Sequence, residues 1–229
     1  MTRSAIWLGV LLIWILPCNT SRGDLLFEFG VGDVIMSDIE IPVPGATVPI
    51  QVYLSQTGTT TILSDEGLAF AGVRVTFDDP TIAAVLSDTN IQENPAFDLD
   101  SPPFFPEKEV TGTTAELIVG VDDIFSPVFA DSNGRVLLGE FTFTGLSLGS
   151  TNIRAEILDA GGLDYIISGT GVELDGLITP ASATLTVTPE PGSVALSLVA
   201  LGGAAVVGVY RSRRKRRKTS TEDPSVVAG

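Results

Sequence analysis

Short runs of alternating apolar and polar residues recur between positions 24 and 187 of this 229-residue chain. In the run LAFAGVRVTF, Val73, Val75 and Phe77 fall on one face and the polar residues between them on the other, which is the period of a half-buried strand. About nine such runs, separated by turn residues, predict an all-β fold: a single antiparallel β-sandwich. The predicted strands are 25–29, 48–54, 68–77, 82–87, 115–121, 135–145, 152–158, 164–168 and 183–188.

Turn and loop signals separate these strands. DSNGR (131–135) and DAGGLD (159–164) contain Asn-Gly and Gly-Gly pairs, which tolerate the positive φ of tight turns. The proline-rich stretch 94–109 predicts a long loop. The threonine-rich stretch 57–61 is a loop or a site of glycosylation, and we favour the loop.

The N-terminus has the composition of a signal peptide. Arg3 is followed by an apolar core, residues 5–16, which is too short to span a bilayer comfortably. We predict cleavage after Gly23, so residues 1–23 are the signal peptide and signal peptidase and the secretion machinery are expected partners. A lipoprotein cleavage site at Cys18 is the alternative.

The C-terminal run 192–210 contains no charged residue. As a helix it covers about 28 Å, close to the thickness of a bilayer's hydrocarbon core, so we predict one transmembrane helix. The basic cluster 211–218 behind it predicts a stop-transfer signal, with the cluster in the cytoplasm and the acidic body outside. The stop-transfer residues are Arg211, Arg213, Arg214, Lys215, Arg216, Arg217 and Lys218.

Residues 188–218 resemble the PEP-CTERM sorting signal of Gram-negative bacteria, since Pro189, Glu190 and Pro191 precede the apolar run and the basic cluster. The resemblance implies that an exosortase, a membrane transpeptidase-like enzyme, removes the tail and passes the protein to the cell surface or matrix. The extra residues 219–229, expected to be disordered, depart from this family. The alternative is a rigid spacer before a plain membrane anchor, since proline disfavours helix there.

Charge and composition exclude several classes of function. Between positions 24 and 188 there are 25 acidic residues against four basic ones, which argues against nucleic-acid binding by the body. The chain has no histidine, so histidine-based catalytic triads and metal sites are excluded. Its one cysteine, Cys18, lies in the predicted signal peptide, so the body must be stabilised by its core rather than by disulfides.

The order of strands from about position 46 to 188 resembles cohesin-like and carbohydrate-binding jelly-roll sandwiches of secreted bacterial proteins. VPIQVYL is followed by GVRVTFDDPTIAAVLS and later by GRVLLGEFTFTGLSLGSTNIRAEIL. In cohesins a hydrophobic strand leads into a Tyr/Phe-Asp-Pro turn, matched here by Phe77, Asp79 and Pro80 with Asp78 inserted. The resemblance implies a sandwich fold and does not imply a dockerin partner.

Pairs of acidic residues in the predicted loops are the candidates for chemistry. Calcium takes several oxygen ligands, and its candidate ligands here are Asp98 with Asp100 and Asp122 with Asp123. No EF-hand loop is present, and solvated turn carboxylates are the simpler interpretation. Two carboxylates could also hydrolyse glycosides, but nothing singles out a pair. No other cofactor is expected.

Aromatic residues in the proline-rich loop could contact a sugar ring or a partner protein. Phe97, Phe104 and Phe105 lie there, and the alternative is that they cover one end of the core. The body has few tyrosines and no tryptophan, which weakens the case for a sugar-binding face.

These observations predict a non-enzymatic, exported protein of the cell surface or extracellular matrix of a Gram-negative-type bacterium, with residues 24–187 as its acidic sandwich. Its role would be structural or adhesive, and exopolysaccharide is one expected partner. The alternative is an extracellular carbohydrate- or calcium-binding module on the same fold.

Overall fold

The computed structural model describes residues 25–99, 108–158 and 166–189. Over these residues the chain forms fourteen strands, one short α-helix (α1, Ile62–Asp65) and two 3-10 helices, Asp88–Asn90 and Asp175–Leu177. The all-β prediction is confirmed. The strands are β1 (Leu25–Val31), β2 (Val34–Ile35), β3 (Asp38–Ile41), β4 (Thr47–Gln56), β5 (Leu68–Phe77), β6 (Ala83–Ala84), β7 (Ile91–Glu93), β8 (Lys108–Thr111), β9 (Thr114–Gly120), β10 (Arg135–Gly145), β11 (Gly149–Ile157), β12 (Ile166–Ser168), β13 (Ile178–Thr179) and β14 (Ala181–Val187).

The first sheet has the strand order β13-β1-β4-β10-β6, with β2 also paired to β1 and β7 also paired to β10. Its centre is three long antiparallel strands, in which Phe27 lies opposite Leu54 and Phe141 opposite Ile50. The alternation of buried and exposed residues in β10 is interrupted by a register shift between Leu137 and Gly139. That bulge keeps both halves of this long strand facing the core.

The second sheet has the order β3-β14-β11-β5-β9-β8, with β12 also paired to β5. In β5, Val73, Val75 and Phe77 are buried, as their spacing predicts. Arg74 lies on the outer face, where its Nε is 2.7 Å from Oε1 of Glu116, its cross-strand partner on β9. Oppositely charged residues that lie directly across from each other stabilise the register between β5 and β9.

Two segments cross from the first sheet to the second along the same edge. Between β2 and β3, the Met36 N–H donates to the Phe29 carbonyl at 2.9 Å, and the Ser37 carbonyl accepts from the Thr184 N–H at 2.7 Å. Between β13 and β14 the chain crosses at Pro180. Since proline has no N–H, the ladder with β1 stops there. The crossings close this edge of the sandwich.

The core lies between the two sheets and is built mainly from large apolar side chains. The Phe77 and Phe143 rings meet edge to face, with centroids 5.8 Å apart and planes at 83°. Burying each such ring contributes about 1.5–3 kcal/mol. The largest fully buried side chains are Phe27, Phe77, Phe141, Phe143, Leu25, Ile41, Ile50, Leu54, Leu63, Leu68 and Ile91.

The start of the first strand, β1, and the end of the last strand, β14, lie at opposite ends of the sandwich. Leu25 starts β1 beside Gln56 and Ile178, and β14 then continues in the direction of β13. Val187 finishes β14 opposite Gly149 and beside Ile41. We call the end at Val187 the tail end and the end at Leu25 the distal end.

Several details differ from the sequence predictions. The sandwich is not purely antiparallel, because β1–β13 and β14–β3 are parallel pairs formed by the crossing segments. The predicted strand 82–87 is reduced to β6, and β8 begins at Lys108, within the stretch 94–109 that is predicted to be a loop. Five strands were not predicted, since two to four residues show too little alternation: β2, β3, β7, β8 and β13.

The predicted turn at 131–135 is confirmed. Gly134 has φ of 75° and donates its N–H to the Asp131 carbonyl at 3.0 Å, while Asn133 keeps a negative φ. Residues 57–61 form a loop, as favoured. The predicted turn 159–164, the signal peptide 1–23 and residues 190–229 lie outside the described residues.

Replacing Phe143 with alanine should lower the free energy of unfolding by about 3–5 kcal/mol, since the ring is fully buried against Phe77. Urea denaturation of the purified protein measures this. Phe125→Ala is the matched control, because that ring is 87 % exposed. Equal losses in the two variants would contradict the packing described here.

Candidate functional site

A network of polar side chains covers the outer face of the first sheet. Tyr53 on β4 is only 4 % exposed, and its hydroxyl lies 3.0 Å from Oδ1 of Asp33 and 3.1 Å from Oε1 of Gln51. Gln51 also accepts from the Asp33 N–H at 2.8 Å and donates its side-chain NH₂ to Oδ1 of Asp33 at 3.2 Å. Asp33 occupies the β1–β2 turn with φ of 67°, so these bonds hold an unfavourable backbone conformation in place.

Arg135, the first residue of β10, joins this network from the other side. Its guanidinium carbon lies 4.8 Å from the centroid of the Tyr53 ring, within cation–π range. Its Nη2 is 3.4 Å from Oδ2 of Asp131. Nearby, the Ser55 hydroxyl donates to Glu28. The network therefore links β1, the β1–β2 turn, β4 and β10.

The protonation states of two groups follow from these contacts. Burial, together with the hydrogen bond and the charge of Asp33, raises the pKa of Tyr53 to about 12, against a smaller lowering by Arg135. Burial also acts to raise the pKa of Asp131, but the N–H groups of Arg135 and Asn133 bond its carboxylate and the net pKa is lowered. At neutral pH the site therefore presents a neutral phenol beside carboxylates, which suits hydrogen bonding rather than proton abstraction.

Sequence reasoning did not identify this network. Its one signal is the alternation in QVYLS, which places Gln51, Tyr53 and Ser55 on a single face of β4. The contributions of Asp33 and Arg135 depend on strand register, which the sequence does not reveal.

The structure brings three of the four candidate calcium ligands into neighbouring loops. Oδ1 of Asp98 accepts from the Asp122 N–H at 3.0 Å, and Oδ1 of Asp123 accepts from the Phe125 N–H at 2.9 Å. Asp100 lies outside the described residues. Within the ranges described, no group of three or more carboxylates is arranged to hold a metal ion. Asp98 thus links its loop to the loop of Asp122, and Asp123 stabilises its own loop.

The Asp78–Asp79 pair forms a turn at the tail end. Oδ1 of Asp79 accepts from the N–H and the hydroxyl of Thr81 at 2.9 and 2.7 Å, and the pKa of Asp79 is lowered by these bonds. Oδ2 of Asp78 accepts from the Asn152 side chain at 3.1 Å. This pair fixes the chain where β5 leaves the sheet.

Exposed apolar side chains collect at the distal end. Phe97, a candidate contact residue, is buried and covers the core, while Phe104 and Phe105 lie outside the described residues. The strongly exposed residues are instead Ile124, Phe125, Phe129 and Val172. A groove of about 440 Å³ adjoins Val172 and is bounded by α1 and the turn 172–177.

The predicted sorting motif begins at Pro189, two residues after the end of the last strand. Thr188 is half-buried and Pro189 is exposed, while Glu190, Pro191 and the basic cluster 211–218 lie outside the described residues. None of the helices in the described ranges is long and apolar enough to cross a membrane. The predicted helix 192–210 lies beyond those ranges.

Comparison with known proteins gives only structural similarity. No model of a known protein family matches the chain, and no curated protein matches it. Similar solved structures are cohesin modules, the class that the strand order resembles. CaCohA2 from Clostridium acetobutylicum has a TM-score of 0.46 and 11 % identity, over 72 % of this chain and 92 % of that chain.

Two further cohesins are similar to the same extent. The cohesin module of a Clostridium perfringens family 33 glycoside hydrolase has a TM-score of 0.45 and 10 % identity, over 73 % of this chain and 99 % of that chain. A chain of a type I cohesin–dockerin complex from Clostridium thermocellum has a TM-score of 0.46 and 10 % identity, over 71 % of this chain and 99 % of that chain. With TM-scores below 0.5, no partner or ligand of those modules is carried over to this chain.

The raised pKa of Tyr53 predicts a loss of stability in alkaline solution. The phenol of the unfolded chain ionises near pH 10 and that of the folded chain near pH 12, so the stabilisation is complete below pH 10 and is lost as the pH rises to 12. Tyr53→Phe should lose less stability between pH 10 and 11 than the unmodified protein, measured by urea denaturation. The unmodified protein is the reference, and an identical pH dependence in Tyr53→Phe would refute the assignment.

Proposed function

We propose that this chain is an exported structural or adhesive module of the cell surface or extracellular matrix, sorted through its C-terminal tail by an exosortase. The observation that supports this most is the position of the fold between the two predicted processing sites. The first strand begins at Leu25, two residues after the predicted signal cleavage, and the last ends at Val187, two residues before Pro189. Both cuts would leave every described strand in place.

The end of the domain is held firmly against the sheet. The Thr188 N–H donates to the Ile41 carbonyl at 3.0 Å, and the Thr188 hydroxyl lies 2.8 Å from Oε1 of Glu40 and 3.2 Å from the Pro42 carbonyl. The next residue, Pro189, is exposed to solvent. A membrane-bound transpeptidase could therefore bind the segment beyond Thr188 in extended form without unfolding the sandwich.

The hydrogen bonds of several described carboxylates support a structural role rather than an enzymatic one. Asp79, Asp98, Asp123 and Asp131 each accept hydrogen bonds from backbone N–H groups of their own or a neighbouring turn. General acid–base chemistry requires a carboxyl group whose oxygens are available to substrate. These carboxylates instead shape the loops.

An adhesive role would use the distal end, which faces away from the anchored tail. Phe125 is the most exposed large apolar side chain there; Ile124 and Phe129 lie in the same connection between β9 and β10, and Val172 lies in the turn after β12. Exposed apolar clusters of this kind bind partner surfaces. The Phe125 ring could equally stack on the sugar rings of an exopolysaccharide, which is the specific feature that favours the carbohydrate-binding alternative.

Substituting Pro189, Glu190 and Pro191 together with alanine should leave the tail attached and hold the protein in the inner membrane. The unmodified protein should reach the surface without residues 192–218. C-terminal mass spectrometry of surface and inner-membrane fractions measures both. Surface material that still carries residues 192–218 would contradict the sorting route and leave a plain anchor.

Calcium binding by the Asp98, Asp100, Asp122 and Asp123 loops is a separate proposal with its own test. If calcium binds the folded state, the melting temperature should rise with calcium concentration, because a ligand of the native state alone stabilises it. Asp98→Asn and Asp122→Asn should abolish that rise, while Asp78→Asn, in a turn at the opposite end, should preserve it. An unchanged melting temperature on adding calcium would exclude the site.

A further inference from the structure

The tail end carries an exposed apolar loop directly beside the exit of the chain toward the predicted membrane helix. The loop comprises residues 146–148, between β10 and β11. Leu146 is 43 % exposed and Leu148 is 55 % exposed. Between them, the Ser147 hydroxyl donates to the Thr81 carbonyl at 2.7 Å. We call residues 146–148 the leucine loop.

The residues on both sides of the leucine loop, Gly145 and Gly149, contact the end of β14. Gly145 packs so closely on this strand that a Cβ on it would lie 3.2 Å from Cγ1 of Val187. Gly149, on the other side of the loop, is the cross-strand partner of Val187. The loop is also fixed from below, since the Leu146 N–H donates to the Ile82 carbonyl at 2.7 Å. The position of the loop relative to the end of β14 is therefore fixed.

The connection between the sandwich and the predicted membrane helix is short. Thr188 is hydrogen-bonded to the sheet, so free chain begins at Pro189, and the apolar run begins at Gly192. Four residues span at most about 14 Å when fully extended. The polar headgroup layer on each side of a bilayer is about 5–8 Å thick. The tail end thus lies within about 10 Å of the headgroups whenever the helix is inserted.

We propose that the leucine loop inserts into the outer surface of the membrane while the tail is still attached, and holds the sandwich upright on the bilayer. This rests on the membrane anchor in the proposed function. Two leucine side chains at the headgroup boundary would gain apolar contact there, at a site that the tether already places beside the lipid. The occupant of this surface is the lipid bilayer to which the chain is anchored.

The neighbouring charges define which lipid suits this contact. Asp78 and Asp79 lie in the turn that adjoins residue 152, and Glu40 lies beside Thr188. These carboxylates face the same end as the leucine loop and would be repelled by anionic headgroups. We therefore expect insertion into a zwitterionic surface, and weaker insertion as anionic lipid is added.

The test uses the signal-processed chain, residues 24–229, which contains no tryptophan because Trp7 and Trp14 are in the signal peptide. Leu148→Trp and Leu146→Trp each place one fluorophore in the leucine loop. Phe125→Trp places the matched control at the distal end, where the native side chain is also exposed. Each variant is reconstituted into phosphatidylcholine vesicles with and without brominated acyl chains.

The expected result is a blue shift and loss of emission by brominated lipid at positions 146 and 148, with neither effect at position 125. Reconstituted protein that shows no quenching at 146 and 148, or equal quenching at all three positions, would overturn the proposal and leave the anchor intact. Flotation of the vesicles tests the anchor separately. Protein that does not float with them would refute the anchor and, with it, the insertion of the leucine loop.

Discussion

The contact between the inner faces of the two sheets is the interaction on which the described structure depends. The body has no cysteine from which a disulfide could form, so the pairing of Phe77 with Phe143 and the apolar layer around it must stabilise the domain. This layer dictates which residues of each long strand point inward. It therefore also dictates which polar groups, among them Tyr53 and Arg135, share the outer face.

The two segments that cross between the sheets, β2–β3 and β13–β14, close one edge of the sandwich around this apolar layer. A sandwich of two open sheets leaves unpaired backbone at its margins, which other chains could join. Here both β2–β3 and β13–β14 pass from one sheet to the other beside β1 and leave a groove of about 380 Å³ between them. Parallel pairing arises at this edge because β13 and β14 both run in the direction of β1, whereas β3 reverses the direction of β2 and so lies parallel to β14. The first and last strands are thereby locked into the same margin.

The long strands could be predicted from the sequence because alternation over about ten residues determines which side chains face the core. Prediction failed for β2 and β13, since two residues have no period, and for the mixed pairing that depends on them. The polar network was missed for a different reason: Asp33 and Tyr53 are distant in sequence, and only strand register brings them together. The sequence left open whether Phe97 covers the core or contacts a partner, and it is buried; the exposed ring at the distal end is Phe125, for which the sequence offered no signal.

The placement of Leu25 and Val187 at opposite ends of the sandwich has a mechanical consequence. A protein fixed at one end and pulled at the other carries the load along its terminal strands. β1 pairs with β4 over six residues and β14 pairs with β11 over seven, so tension along the strands would shear several hydrogen bonds of each pair at once rather than break them singly. Such a module would resist extension as a stiff link between a cell and whatever it holds.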